Sequence, residues 1–451
     1  MTSNYPPVSI LIPTFNPNIL ALVANFTNIK KISYPNYEIV ISDNSNDQII
    51  INDLKDLCKK YHVKFFHRET KTGFKSGNIN YVIKNIEGKY IFFMDIDQIL
   101  IPDRLEPIIQ LMEKDEKIAF VQAKYKICNA NSLIRIAIAI MYSYYYEILA
   151  IGKDLRQTVL FNGTTACFRT KVIKELRGFP EETYCEDIDI STKILLSGYK
   201  SRFIDIYASY ALVQWKLKEI ISSIWRWAHG ATTISKIRFK NIFMSKKISF
   251  STKIELFMNN LIWIAGVGLV LANFCIILLY LGNMAVIRPI YTIQTNFIVL
   301  SIDGYQIFAL FFVINTLIGS FLAIMNSRSF SWLLYLPAYF IASISLFYFL
   351  LPAVIDGLFN WRSPQSKKSS WNRKINFSFY ALFMIPFFLI NAYCTIDALV
   401  KINFLCFYFF FMSISLIAPF IYVLFEKNDV FFKKTENIYF ENMIYNNLKN
   451  R

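Results

Sequence analysis

The segment Tyr90–Leu100, YIFFMDIDQIL, carries the most information about the fold. Tyr90 to Met94 are apolar and favour β-structure, which is typical of a central parallel strand. Asp95 and Asp97 follow one residue apart, and side chains at i and i+2 of an extended chain point the same way. Both carboxylates are therefore expected at the carboxyl edge of a sheet, where they would suit Mg²⁺ or Mn²⁺. The alternative is a solvated turn in which each aspartate caps a backbone amide.

Composition indicates a soluble part followed by a membrane part. The chain has 451 residues, of which 55% are hydrophobic, and most long apolar runs lie after residue 256. The net charge of +16 is accompanied by no zinc-finger, helix-turn-helix or RNA-binding motif, so no nucleic-acid partner is expected. In a membrane protein such an excess usually lies on the cytoplasmic face. The seven scattered cysteines indicate neither a disulfide framework nor a zinc site, which favours a reducing cytosol.

Strands and helices are predicted to alternate in the first part of the chain. The predicted strands are Val8–Pro13, Tyr37–Ser42 and Val63–His67, with a helix after each of them. This alternation predicts a mostly parallel sheet with helices on both faces. The sequence contains no G-x-G-x-x-G and no Walker loop, which argues against a dinucleotide dehydrogenase and a P-loop enzyme.

Seven motifs resemble those of the family 2 glycosyltransferases, the membrane-bound enzymes related to cellulose, chitin and hyaluronan synthases. They are VSILIPTFN, ISDNSND, RETKTGFKSGNIN, FMDID, FNGTTACFR, YCEDIDI and SSIWRWAHG, in the order and spacing of that family, over about residues 8–231. The resemblance implies an α/β nucleotide-sugar-binding domain of the GT-A type, with a mostly parallel sheet, in residues 1–235. It also implies an α-helical transmembrane region after that domain.

The resemblance assigns five residues to the donor side. Asp43 would hydrogen-bond the nucleotide base, although it also suits an Asx-turn. Lys75 and Asn78 belong to the family's K-x-G-N-x-N and would lie beside the diphosphate, where the alternative is a helix start. Asp95 would contact the nucleotide sugar, and with Asp97 it would hold the metal.

On the acceptor side, the resemblance points to Asn162–Thr164, Glu186, Asp187, Arg226 and Trp227. Asp187 is the candidate general base, because inverting transfer needs a carboxylate opposite the leaving diphosphate. Arg226 would bind the diphosphate, and Trp227 would stack on a sugar ring. The alternative for Glu186 and Asp187 is that they are acidic residues favouring a helix N-terminus. The alternative for Trp227 is an aromatic belt beside the membrane.

Two departures from the family pattern bear on processivity. Ser223 occupies the glutamine position of Q-x-x-R-W, which removes one amide contact and weakens the case for a processive polymerase. Residues 371–374, WNRK, match the family's gating-loop motif only loosely. Cys185 replaces a threonine that is common before the E-D pair, and His229 is assigned no role.

The second part of the chain is predicted to be membrane-associated. Residues 236–256 form a basic amphipathic segment that would lie on anionic membrane lipids. Within 257–425, four spans are expected, and 331–357 is expected to be re-entrant or in-plane because the basic loop after it would otherwise break the positive-inside rule. The spans are 257–282, 305–325, 376–396 and 402–425, and 426–451 would be a cytosolic tail.

The sequence therefore predicts a multi-pass cell-membrane glycosyltransferase with a cytosolic catalytic domain. It would transfer a sugar, with inversion, from a nucleotide-sugar donor such as a UDP-sugar to a lipid-linked or growing polysaccharide acceptor. One alternative is a polyprenyl-phosphate sugar synthase. Others are a polytopic transporter with a regulatory sugar-nucleotide-binding domain and a catalytically inactive sugar-binding scaffold.

Overall fold

The computed structural model describes residues 5–213, 216–282, 290–291, 298–299, 317–326, 330–359, 377–401 and 405–428. The strands are β1 Val8–Thr14, β2 Tyr37–Asp43, β3 Lys64–His67, β4 Tyr90–Phe93, β5 Gln98–Leu100, β6 Ile118–Ile127, β7 Ala166–Arg169, β8 Lys200–Ala211, β9 Ile290–Tyr291 and β10 Ile298–Val299. The helices of the first part are α1 Ile19–Ile29, α2 Gln48–Tyr61, α3 Phe74–Ile83, α4 Leu105–Glu113, α5 Leu133–Tyr144, α6 Ile151–Arg156, α7 Thr170–Glu175 and α8 Glu186–Leu196. The helices after them are α9 Leu217–Met244, α10 Phe250–Leu281, α11 Leu317–Asn326, α12 Leu336–Phe359, α13 Phe377–Val400 and α14 Leu405–Asn428.

Eight strands form one sheet in the order β3-β2-β1-β4-β7-β6-β8-β5. The first four are mutually parallel, and β8 is parallel to β6, whereas β7 and β5 run antiparallel to their neighbours. Alternate residues of β1 face two apolar layers: Ile10 and Ile12 pack with α1, α2 and α4, and Leu11 packs with α3, α7 and α8. The predicted α/β domain with helices on both faces of a mostly parallel sheet is thus confirmed.

The segment Tyr90–Leu100 is two strands rather than one. Strand β4 ends at Phe93, and the Gln98 N–H donates to the Asp95 carbonyl at 3.1 Å, which closes a turn. Strand β5 then pairs with β8 at the far edge of the sheet. The extended-chain argument for the aspartate pair was wrong, because a turn and not a strand carries Asp97.

A helical segment between β6 and β7 leaves the sheet. It consists of α5, a π-helical turn at Tyr145–Ala150, and α6. Helix α5 packs against α12 and the 3₁₀ segment Phe330–Tyr335. The segment therefore joins the sheet domain to the later helices.

In the later helices, α12 packs against α9, α10 and α14. Within the part of the chain that the structure describes, two helices are long and apolar enough to cross a membrane, Leu133–Arg156 and Tyr339–Phe359. The first was not among the predicted spans, and the second overlaps the segment 331–357, which was expected to be re-entrant or in-plane. The predicted parts at 305–316, 361–376 and 429–451 lie outside the described residues, so the number of spans stays a prediction.

The predicted interfacial segment 236–256 is shared between the end of α9 and the start of α10. Four of its basic side chains bind groups of the protein. These contacts join Lys236 to the Leu358 carbonyl, Arg238 to Asp189, Lys247 to the Ser197 carbonyl and Lys253 to the Phe243 carbonyl. Much of this positive charge therefore joins helices together, and contact of the segment with lipid stays a prediction.

Candidate active site

Asp43, the last residue of β2, is fully buried. Its carboxylate accepts hydrogen bonds from the Thr14 hydroxyl at 2.9 Å and from the Ser45 hydroxyl and backbone N–H at 2.6 and 3.1 Å. His67, its partner in the β2–β3 register, contacts it through Nδ1 at 2.7 Å. The Asx-turn alternative is therefore present. In this conformation the Asp43 carboxylate holds the loops at the sheet edge together. No part of it is open to the base of a nucleotide.

Asn78 lies under the same edge. Its side-chain amide donates to the Ser42 carbonyl at 2.6 Å, and its oxygen accepts from the Ser42 hydroxyl at 2.8 Å. Since Asn78 is 3% exposed, these bonds use its polar atoms to hold α3 on β2. Asn78 thus positions the residues before it, including Lys75, and does not itself line the candidate site. We call that site the cleft; it is formed by Lys75, Asp95, Gly163, Glu186 and Asp187.

Lys75 lies at the centre of the cleft. Its Nζ is 2.8 Å from Asp95 Oδ1, 3.0 Å from the Gly163 carbonyl oxygen and 3.9 Å from Glu186 Oε1. Burial disfavours its charge, but the carboxylates of Asp95, Glu186 and Asp187 outweigh burial and raise the pKa of Lys75 above its usual range. Lys75 therefore stays cationic and joins the donor-side and acceptor-side carboxylates.

Asp95 and Asp97 differ in their surroundings. The Asp95 backbone N–H donates to the Thr164 hydroxyl at 3.0 Å, and its side chain is 35% exposed. Asp97 is solvent-accessible but lies deep enough for burial, together with the charge of Asp95, to raise its pKa to about 7. The negative charge of Asp95 thus disfavours ionisation of Asp97.

The loop Asn162–Thr164 connects the two sides of the cleft. Gly163 has a φ of +84°, and a Cβ there would lie 3.2 Å from Asp187 Oδ2, so a side chain would be strained and would crowd the carboxylate. Thr164 donates to Gln98 Oε1 at 2.9 Å, and the Asn162 N–H donates to Gln122 Oε1 at 3.0 Å. Gln98 and Gln122 are positioning residues that the motifs did not reveal.

Glu186 and Asp187 begin helix α8. The Ile188 N–H donates to Asp187 Oδ1 at 2.8 Å, as expected for a carboxylate at a helix N-terminus. Burial and the neighbouring Glu186 nevertheless raise the pKa of Asp187 to about 7, against the opposing effect of Lys75. A carboxyl group that titrates near neutrality suits a general base.

Helix α9 packs directly against this helix start. The Cys185 thiol lies 3.6 Å from the carbonyl oxygens of Arg226 and Trp227. At Gly230, a Cβ would lie 2.9 Å from the Cys185 backbone nitrogen, so only glycine permits this approach. The replacement of threonine by Cys185 thus keeps a donor toward α9.

Ser223 contacts Arg226 directly, with its Oγ 3.3 Å from Arg226 Nη2. Both Arg226 and Trp227 are half-buried. The structure therefore places Lys75, Asp95, Gly163, Glu186 and Asp187 around one cleft with α9 beside it. Asp43 and Asn78 lie in the supporting sheet edge.

Comparisons with known proteins agree with this architecture. Residues 9–177 match the family model described as "Glycosyl transferase family 2". The cellulose synthase catalytic subunit [UDP-forming] of Pseudomonas fluorescens is 24% identical over 258 residues, which are 55% of this chain and 34% of that protein. Probable glucomannan 4-beta-mannosyltransferase 6 of Oryza sativa is 24% identical over 264 residues, covering 56% and 46%. The chain thus spans between a third and a half of these relatives.

Among solved structures, the mannosyltransferase PcManGT from Pyrobaculum calidifontis, in complex with GDP-Man and Mn²⁺, is similar with a TM-score of 0.51. The identity is 15%, over 80% of this chain and 89% of that chain, so this likeness concerns the fold alone. The sheet domain is GT-A-like. The family 2 glycosyltransferase match thus covers residues 9–177, and the proteins similar to this part of the chain include cellulose synthase and glucomannan mannosyltransferase chains.

Proposed function

We propose that the protein is a membrane-integrated inverting glycosyltransferase. It transfers a sugar from a nucleotide-sugar donor to a lipid-linked or growing polysaccharide acceptor. The observation that supports this most is the cleft itself, where Lys75 contacts Asp95 at 2.8 Å and approaches Glu186 at 3.9 Å. A cation flanked by carboxylates on two sides suits a diphosphate leaving group on one side and a hydroxyl nucleophile on the other.

The donor is proposed to be a UDP-sugar. Lys75, whose Nζ lies 2.8 Å from Asp95 on the donor side, offers a point charge to the diphosphate. The name of the cellulose synthase relative, UDP-forming, supports uridine diphosphate. The GDP-Man bound by the similar mannosyltransferase makes a GDP-sugar the first donor to compare.

Asp95 and Asp97 are proposed to hold Mg²⁺ or Mn²⁺. Two hard carboxylates, one exposed and one partly exposed, fit an ion that keeps water ligands and takes phosphate oxygens. Among the described residues, no three His, Cys, Asp or Glu side chains stand together as a metal site, so the other ligands at Asp95 and Asp97 would be water and phosphate oxygens. When bound, the ion would neutralise charge on the leaving diphosphate.

Asp187 is proposed to act as the base. The acceptor oxygen attacks C1, the bond from C1 to the phosphate oxygen breaks, and the hydroxyl proton passes to Asp187. Configuration inverts because nucleophile and leaving group lie on opposite faces. Gly163 leaves the Asp187 carboxylate uncovered, and Lys75 on the other side faces the departing diphosphate.

Membrane integration is supported by the surface of the later helices. Their outward faces carry large apolar side chains that soluble proteins normally bury. Examples are Leu271 and Leu278 in α10, Leu389 and Ile396 in α13, and Phe407 and Phe410 in α14. We propose that these faces contact lipid and that the sheet domain lies in the cytosol beside the cell membrane.

One feature favours a second enzyme class, a polyprenyl-phosphate sugar synthase. Ser223 replaces the glutamine of the synthase motif, and its hydroxyl oxygen accepts a hydrogen bond from Arg226. A lipid phosphate would then be the acceptor in place of a sugar hydroxyl. The E-D and R-W motifs favour the glycan acceptor. Identifying the reaction product distinguishes a glycan acceptor from a lipid-phosphate acceptor.

The test is sugar transfer by native membranes containing the protein, with a panel of radiolabelled nucleotide sugars. We expect transfer from one donor class, loss of transfer in EDTA and recovery with Mg²⁺ or Mn²⁺. A short product in the organic phase that is labile to mild acid would favour the lipid-phosphate acceptor. Full activity of Asp97→Ala in EDTA would contradict the metal assignment, and transfer from no donor would contradict the proposed function.

A further inference from the structure

His229 lies at a junction of three segments. It is a buried residue of α9, 3% exposed, three positions after Arg226. Its ring stacks on Trp225 with centroids 5.1 Å apart, and meets Tyr184 edge-to-face, also at 5.1 Å. Its Nε2 is 3.1 Å from Oδ2 of Asp356 in α12, a carboxylate that can only accept the hydrogen bond.

The end of α12 is fixed to the same face of α9. A Cβ at Gly357 would lie 3.0 Å from the His229 carbonyl oxygen and from Thr232 Cβ, so the two backbones approach closely. One turn further on, Lys236 Nζ lies 3.0 Å from the Leu358 carbonyl oxygen. Positions 229, 232 and 236 share one face of a helix, so α12 is held at three successive points.

The His229 ring is linked to the cleft through Tyr184. Tyr184 precedes Cys185, Glu186 and Asp187 in the chain. The Tyr184 ring also packs against Phe74, with centroids 6.0 Å apart, and Phe74 precedes Lys75. The ring that contacts His229 is therefore within two residues of Glu186 and in contact with the neighbour of Lys75.

We propose that His229 is a positioning residue for the reaction. Held by Asp356, its ring fixes Tyr184 and so sets where Glu186 and Asp187 stand relative to Lys75. The position of α12 is thereby coupled to the geometry of the cleft. His229 contacts neither substrate nor metal in this account, which rests on the proposed glycosyl transfer.

Two substitutions separate the hydrogen bond from the packing of the ring. His229→Phe keeps an aromatic ring between Trp225 and Tyr184 but removes the donor to Asp356. Asp356→Asn keeps an oxygen acceptor, whereas Asp356→Ala removes it. The matched control is Ser235→Ala, because Ser235 is also buried in α9 and its hydroxyl donates to the Ala231 carbonyl of the same helix.

We expect His229→Phe and Asp356→Ala each to lower kcat for transfer about tenfold, as expected when reacting groups are slightly misplaced. Nucleotide affinity should stay within about twofold, because the donor contacts are unchanged. Asp356→Asn should retain most of the activity. The double variant that combines His229→Phe with Asp356→Ala should be no slower than either single variant. Ser235→Ala should match the wild type.

Hydrogen exchange of the peptide containing residues 184–188 tests the same inference without activity. It should be faster in His229→Phe and in Asp356→Ala than in Ser235→Ala. Unchanged exchange, a kcat equal to the control, or a loss that follows only the amount of folded protein would overturn the inference. A wild type that transfers no sugar contradicts the proposed function instead, and the exchange result still decides the role of His229.

Discussion

At the scale of single residues, the cleft concentrates charge that folding alone would not favour. Asp97 and Asp187 both have pKa values raised to about 7, by burial and by the adjacent carboxylates Asp95 and Glu186. Lys75 offsets part of this cost. Such an arrangement is typical of sites that bind a cationic or proton-donating substrate, where strain in the free protein is tolerated.

The raised pKa of Asp187 predicts a pH-dependent effect on stability. Between about pH 4 and about pH 7 the folded protein holds a proton on Asp187 that the unfolded chain has lost, so wild-type stability falls as pH rises through this window. Asp187→Asn removes this dependence. Its melting temperature relative to wild type should therefore rise, by on the order of a few degrees, between about pH 5 and about pH 8.

The measurement is thermal unfolding of both proteins in the same detergent across that pH range. Asp53→Asn, an exposed change on α2, is the control and should show no trend. A melting-temperature difference that is constant with pH would contradict the raised pKa.

The sequence motifs identified the charged residues of the cleft but not their supports. Asp95, Lys75 and Asp187 stand in recognisable local patterns. Gln98, in contrast, accepts hydrogen bonds from Thr164, Thr165 and Ser209, and these bonds depend on the packing of strands distant in sequence. A lone glutamine after two aspartates carries no local signal for that role.

At the scale of elements, helix α9 holds the cleft and the later helices together. Its start packs against α10, α12 and α14, its middle touches Cys185, and its end binds the fully buried Asp189 through Arg238 at 2.8 Å. The alternation of strands and helices was predictable, since each apolar period is local. The break after β4 was not, because β5 is defined by pairing with β8.

Gly230 tests the contact between α9 and α8. Gly230→Ala should lower transfer and destabilise the protein by about 1–3 kcal/mol, because the new methyl group would overlap Cys185 and force the helices apart. Gly268→Ala in α10 is the matched control, since a Cβ there meets nothing within 4 Å. Transfer assays and thermal unfolding of both variants provide the comparison. If Gly230→Ala behaves like Gly268→Ala, the close approach of α9 to Cys185 is not needed for transfer or stability.

At the scale of the whole molecule, the sheet domain and the helices after residue 216 differ in what they expose. The sheet buries its apolar residues in two layers, whereas α10, α13 and α14 present leucine, isoleucine and phenylalanine outward. Hydropathy indicated this division. It could not indicate that α12 would lie among α9, α10 and α14, because helix packing depends on shape rather than on composition.

The exposed apolar faces predict integral membrane association. After cell lysis, the protein should remain in the membrane pellet through alkaline carbonate extraction and be released only by detergent. The physical reason is that moving these apolar faces from water into the lipid hydrocarbon lowers the free energy. A peripheral protein held by basic residues would be released by the same carbonate wash, and that result would contradict the proposed spans.

The central claim, that this cleft performs base-assisted sugar transfer, is tested most directly by Asp187→Asn. The substitution keeps the shape of the side chain and removes its basicity. Once the donor is known, transfer should fall by about 10²–10⁴-fold, whereas nucleotide titration should show nearly unchanged donor affinity. Wild-type turnover in Asp187→Asn would place the base elsewhere, and a parallel collapse of donor affinity would assign Asp187 to the donor site.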